Sequence, residues 1–225
     1  MARVLGVDAC KAGWVGIALD DARAYVAATI GDLVALAEAE GPVEVVGIDM
    51  PIGLPDRTRR QADVLARQAV GRLRSSVFLV PVRAALEAPD HATASAINRA
   101  HVGEGVSIQA YGLRRKLFEV DAWVRETGRR AVEIHPEVTF AQLAGAPLTA
   151  GKHTWAGAEV RRGLLARAGI ALADLGPAGL RAGVDDVLDA AAVAWSARRV
   201  ALGTAITRPD PPEVFGDGVA CAVWT

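Results

Sequence analysis

The sequence predicts an α/β fold: a mixed sheet of three antiparallel strands and then two parallel ones, with flanking helices and a mainly helical insertion. Three observations carry this. Short runs rich in Val, Ile and Leu crowd the amino-terminal end, separated by turn-like segments. Val45-Val46-Gly47-Ile48 is a near-continuous apolar run, the pattern of a strand buried on both faces of a parallel sheet. Helical periodicity then dominates until a second β-like run begins at Ala131.

Taken in order, Arg3 to Ala9, Gly13 to Leu19 and Ala24 to Ile30 read as consecutive antiparallel strands, broken by Cys10-Lys11-Ala12 and by Asp20-Asp21-Ala22-Arg23. Gly31 to Glu40 carries Leu33, Val34 and Leu36 and is predicted as a short helix, which Gly41-Pro42 terminates. Glu44 to Met50 is the fourth strand. Helices are then predicted over Arg57 to Arg72, Ala92 to His101 and Gln109 to Thr127, with an extended piece from Val77 to Val80. Ala131 to His135 is the fifth strand, and helices follow over Pro136 to Leu143, Trp155 to Ala168 and Asp185 to Leu202. The Pro- and Gly-rich tail, Arg208 to Gly218, is expected to be irregular. This order is that of the ribonuclease-H-like fold. No break in composition marks a second domain, so residues 1–225 read as one domain with a helical insertion at about 56–130.

The 225 residues include 25 basic and 26 acidic ones, a net charge of −1, so bulk charge cannot hold the chain to nucleic acid or a membrane. Any polyanion must be met by a local patch. Cys10 and Cys221 have no ligand-spaced partners, which disfavours a disulfide framework and a zinc knuckle and points to a reducing compartment. The longest uncharged run, Val138 to Gly151, falls short of the roughly 20 residues a membrane span needs. Met1-Ala2-Arg3 leads straight into a strand-like run with no room for a signal segment, so a cytoplasmic location is expected. Of the basic residues 22 are Arg and only 3 are Lys, which lowers the weight of any one Arg cluster.

The sharpest chemical feature is a repeated V-x-G-x-D, Val4 to Asp8 in the first strand and Val45 to Asp49 in the fourth. Side chains alternate along a strand, so Val, Gly and Asp share a face, and the Gly is expected to leave open space beside the Asp. If the strands are parallel neighbours, Asp8 and Asp49 emerge together at the carboxyl end of the sheet, where open α/β sheets place ligands. The competing reading makes each Asp a turn residue. On the fifth strand Glu133 and His135 share a face, and Glu137 follows at the start of a helix. A salt bridge to one of the many arginines would account for Glu133 without catalysis. In the last helix Asp185 is expected as the N-cap, while Asp186 and Asp189, three apart, project to one side. Clustered oxygen ligands without soft ones suit Mg²⁺ or Mn²⁺, and two such ions about 3.5 to 4 Å apart can promote in-line phosphodiester hydrolysis.

Five segments, Gly6 to Trp14, Gly47 to Pro55, Gly71 to Arg83, Glu133 to Glu137 and Asp185 to Ala190, resemble the family catalogued as domain of unknown function 429, described as predicted ribonuclease-H-like nucleases. The resemblance implies that fold and a metal-dependent nuclease site. Asp186-x-x-Asp189-Ala190 is also similar to the closing D-x-x-D-A of bacterial Holliday-junction resolvases. That likeness implies that Asp8, Asp49, Asp186 and Asp189 hold the Mg or Mn. Those resolvases have Glu where this chain has the shorter Asp49, so Glu133 or Glu137 is an alternative ligand. The expected catalytic set is therefore Asp8, Asp49, Glu133, Asp186 and Asp189, supported by His135, Glu137 and Lys11.

Two rival functions share the fold. Sugar kinases and actin-like ATPases open on a similar strand and hairpin, making an ATP-dependent phosphotransferase one alternative, but the chain lacks a convincing second D-x-G-x-G. A non-catalytic nucleic-acid-binding module with a structural ion is the other. Between Asp56 and Arg83 seven arginines face only Asp56 and Asp63, a net of +5. Within it Arg72 and Arg74 are the expected substrate-binding residues. A nucleic-acid partner, no membrane and an open question of homodimerisation complete the expectation.

Overall fold

The structure, a computed structural model, describes residues 2–20 and 23–225. A seven-stranded mixed sheet runs through it with strand order β3-β2-β1-β4-β5-β7-β6. Strands β1 (Val4–Cys10), β2 (Gly13–Ala18) and β3 (Arg23–Ala27) are antiparallel, with Leu5 opposite Ala18 and Trp14 opposite Ala27. Asp21 and Ala22, in the turn expected after the second strand, lie outside the described residues. Strand β3 stops short of Ile30 because Thr29 caps helix α1 (Ile30–Glu38), its hydroxyl accepting the Asp32 N–H at 3.1 Å.

Strand β4 (Val45–Ile48) lies parallel to β1 with Gly6 opposite Gly47 and Val7 opposite Ile48, so the two V-x-G-x-D segments run side by side in register. Strand β5 (Ala131–Glu133) continues the parallel set and ends two residues sooner than expected. Between β4 and β5 lie α2 (Gln61–Ala69), a 3-10 turn (Gly71–Ser76), α3 (Arg83–Leu86), α4 (His91–Val102), α5 (Ile108–Gly112) and α6 (Arg114–Thr127). Two expectations change here. The helix expected from Arg57 begins only at Gln61, because Arg60 has extended backbone, and the one expected over Gln109 to Thr127 is divided at Leu113. After β5 come α7 (Pro136–Ala144), α8 (Trp155–Arg167) and α9 (Val184–Ala201).

The tail is not irregular. It forms β6 (Thr207–Val214) and β7 (Ala220–Trp224), and β7 pairs parallel with β5 through Glu133 and Val223. Proline lacks an N–H and is confined to edges and bulges. Pro209, Pro211 and Pro212 meet that condition: β6 is the outermost strand, and its pairing shifts register between Arg208 and Glu213.

Helix α9 is the main cover on one face of the sheet, with Ala190, Ala191, Ala194 and Ala197 all fully buried. A Cβ on Gly6 would lie 2.1 Å from the Ala194 nitrogen and 2.3 Å from the Ala190 oxygen. The space beside Asp8 is therefore filled by helix backbone rather than open. Small residues on both partners let α9 touch β1 directly, which carries Asp189, one position before that contact, to the carboxyl end of the strand. No helix among the described residues is long and apolar enough to cross a membrane.

Candidate metal centre

Asp8 sits near the end of β1, and Asp49 follows β4 directly, its N–H donating to the Val7 carbonyl at 2.8 Å. Register alone brings these two together; α9 adds Asp189. One carboxylate oxygen from each of Asp8, Asp49 and Asp189 lies within 4.8 Å of the others. Asp8 is 6% and Asp189 2% exposed, whereas Asp49 is half-buried. Asp8 Oδ1 accepts the Ala9 N–H at 2.6 Å. Asp189 Oδ2 accepts from Lys152 Nζ at 2.6 Å, and its Oδ1 is buried without a hydrogen-bond partner.

Burial is the main cause of the perturbed protonation here. It raises the Asp8 pKa well above the carboxylate range, and repulsion from Asp49 and Asp189 adds to it. Burial likewise pushes Asp49 and Asp189 up to about 7, against the pull of Lys152. For Lys152 itself burial opposes the charge, but Asp189, Asp8 and Asp49 outweigh it and hold its pKa above the ordinary value.

These directions set a pH dependence. A carboxyl whose folded pKa is raised contributes stability fully present below its unfolded pKa of about 4 and lost as pH rises through the folded pKa. Without divalent metal, the melting temperature should therefore fall between about pH 6.5 and about pH 8.5, and Mg²⁺ should reduce that fall. Thermal melts in chelator and in Mg²⁺ check this; a flat or rising profile in chelator would contradict it. The range starts at about 6.5 because His135, whose pKa burial lowers, contributes the opposite slope below it.

The three carboxylates lie in the wall of a cleft of ≈ 500 Å³, shared with Phe78, Gln109 and Lys152. Glu133 lines the cleft but is already engaged: its Oε2 pairs with the buried Arg60 guanidinium and accepts the Ile52 N–H at 2.8 Å. Burial raises its pKa to about 7, with Arg60 opposing. Glu137 Oε1 pairs with buried Arg161 at 2.5 Å, while its Oε2 is unpartnered. His135 caps α7, its Nδ1 accepting the Glu137 N–H at 3.2 Å, and its Nε2 lies 3.4 Å from the Ser76 carbonyl.

The last helix corrects an expectation. Its N-cap is Gly183, not Asp185, and the carboxylate of Asp186 reaches back to the Gly183 N–H at 3.2 Å. Asp185 instead faces His153 at 3.3 Å and Lys152 at 4.0 Å. Asp186 lines the cleft but stands outside the close trio. Lys11 is exposed in the turn between β1 and β2 and does not line the cleft.

The arginine-rich segment divides. Arg60 is buried against Glu133 and Asp63, Arg59 pairs with Glu104 at 2.7 Å, and Arg67 donates to the Val77 carbonyl. Arg83 forms a two-pronged pair with Asp121 at 2.9 and 3.0 Å. Arg72 and Arg74 are exposed on the 3-10 turn, next to Leu73, Ser75 and Ser76 of the cleft wall.

Lys152 and Arg161 escaped the sequence reading, and Arg60 entered it only as one of seven arginines, not as the partner of Glu133. The signal for Lys152 was its rarity, since a chain with 22 Arg and 3 Lys retains lysine at few positions. The two arginines carry no local signal, because their partners are distant in sequence. In comparisons with known proteins, a family model described as "Protein of unknown function (DUF429)" matches residues 6–214. No curated protein and no solved structure matches the chain.

Proposed function

We propose that this chain, which belongs to the DUF429 family of proteins of unknown function, is a divalent-metal-dependent nuclease. Membership is the premise and assigns no chemistry; the single observation that carries the reading is the carboxylate trio with the unpartnered Asp189 Oδ1. A buried acceptor with no donor is costly, and three acids crowded at one point, two of them buried, are costlier still. A hard cation satisfies both conditions with the oxygen donors present. Strand order β3-β2-β1-β4-β5, extended by β7 and β6, supports a ribonuclease-H-like arrangement with the acids at its expected end.

Asp8, Asp49 and Asp189 would hold Mg²⁺ or Mn²⁺, which supplies Lewis-acid activation of water and of a phosphoryl oxygen. The chain's own contributions are distinct. Val7 fixes Asp49 through its carbonyl, and Lys152 offers a fixed positive charge beside Asp189. The cleft wall limits solvent around the acids. Arg72 and Arg74, exposed beside the cleft wall, would meet a phosphate backbone.

The test is incubation of the full chain with labelled single-stranded, duplex, hybrid and branched nucleic acids in Mn²⁺, Mg²⁺ or chelator. Cleavage in either metal and none in chelator is expected. Cleavage indifferent to chelator, or none of any substrate, would remove the reading. Arg72→Ala and Arg74→Ala should each weaken binding regardless of sequence and flatten the salt dependence by about one unit of slope. Their melting temperatures should stay unchanged. Unaltered affinity in anisotropy titrations across salt would exclude both from substrate contact.

A further inference from the structure

We infer that Lys152 takes the place of one of the two cations expected at such a site, so that the centre holds a single divalent ion. This rests on the metal reading above and deepens it. Among the described residues, the trio Asp8, Asp49 and Asp189 supplies three negative charges within one small volume. The other acids of the cleft have partners outside the trio: Glu133 and Asp63 share Arg60, Glu137 pairs with Arg161 through Oε1 and keeps Oε2 without a partner, and Asp186 accepts the Gly183 N–H. Lys152 contributes one positive charge at 2.6 Å from Asp189 Oδ2. Within the trio the remainder is two negative charges, which one divalent ion neutralises. Two ions held by the trio alone would leave it with an excess of positive charge.

Donor supply agrees with the charge count. Asp189 Oδ2 is occupied by the ammonium, and its buried Oδ1 is left for an ion. Lys152 is also placed by a built turn. The Thr154 N–H donates to the Gly151 carbonyl at 3.1 Å, and the Thr154 hydroxyl caps α8 by accepting the Gly157 N–H at 3.0 Å. That turn holds the lysine between fixed points. An ammonium is a compact point charge, closer to a small ion than a planar guanidinium is. Lysine at this position in an arginine-rich chain fits that requirement.

A resident cation repels an incoming one. Removing it should strengthen ion binding even where the ion displaces a proton from a carboxyl, because the ion brings two charges against the proton's one. Isothermal titration of Mn²⁺ into the full chain tests this with three proteins, whose folding is checked by thermal melts. The wild type should take one equivalent. Lys152→Met should bind the first equivalent about tenfold more tightly, an effect within the range of Coulomb interaction at short distance, and should take a second equivalent. Lys152→Arg, which keeps the charge though not the compact shape, should still take a single equivalent. Two equivalents in the wild type, wild-type behaviour in Lys152→Met, or Lys152→Arg matching Lys152→Met would each overturn the inference. The metal-dependent nuclease reading would survive all three. Absence of Mn²⁺ binding in every protein would instead overturn both.

Discussion

Asp8→Asn should reduce metal-dependent cleavage by more than about 100-fold, beyond the 10- to 100-fold that changes in outer partners of a metal site cost. It should do so without unfolding the protein. Asp8 is buried and crowded by Asp49 and Asp189, so without metal its carboxyl is held toward the neutral form. An amide is neutral at all pH values and keeps an oxygen for the Ala9 N–H that Asp8 Oδ1 now accepts. The apo variant should therefore be as stable as the wild type or more so, and its stability should depend less on pH. What it loses is a charged donor, and with it the stabilisation by Mn²⁺. Paired melts with and without Mn²⁺, alongside cleavage rates, read both halves. A variant that is inactive because it no longer folds would make Asp8 a turn residue and not a ligand.

Gly6→Ala should be strongly destabilising. The added carbon would stand 2.1 Å and 2.3 Å from backbone atoms of α9, and backbone cannot turn aside as a side chain can. Overpacking of a core ordinarily costs about 1–3 kcal/mol, and a clash with backbone belongs at or beyond the upper end. At this chain length each kcal/mol corresponds to a fall of roughly 2–4 °C in melting temperature. Any relief moves α9 away from β1, and Asp189 moves with it. Metal affinity should therefore drop along with stability. Gly112→Ala, where an added carbon meets nothing within 4 Å, is the control. Equal melting temperatures for the two variants would show that the helix does not rest on the strand as described.

The first five strands and the Asp8–Asp49 pair were legible because both follow from local alternation and from one register, in which Gly6 faces Gly47. Asp189 was legible only as one of two. Asp186 and Asp189 share a side of the helix, and the place where α9 meets the sheet decides between them. That contact belongs to tertiary packing. The role of Glu133 was legible only as an open choice, because Arg60 lies 73 positions away in the chain. The hairpin of β6 and β7 was hidden by prolines, which argue against a strand until its edge position and broken register are known.

Arg60 ties the cleft wall to the sheet. Its side chain is fully buried, with Nη2 on Glu133 of β5, Nε 3.0 Å from Cys221 Sγ of β7, and Nη1 3.6 Å from Asp63 of α2. Three elements thus meet at one guanidinium. Asp63 in turn accepts the Val80 N–H at 2.7 Å, so the segment carrying Phe78 is fastened to the same point. The consequence is thermodynamic: a cleft wall held this way is pre-organised, and a ligand entering it bears little of the ordering entropy that a mobile lid imposes. Discrimination at such a site comes from shape and charge already in place, with rates of entry set by fit and not by closure.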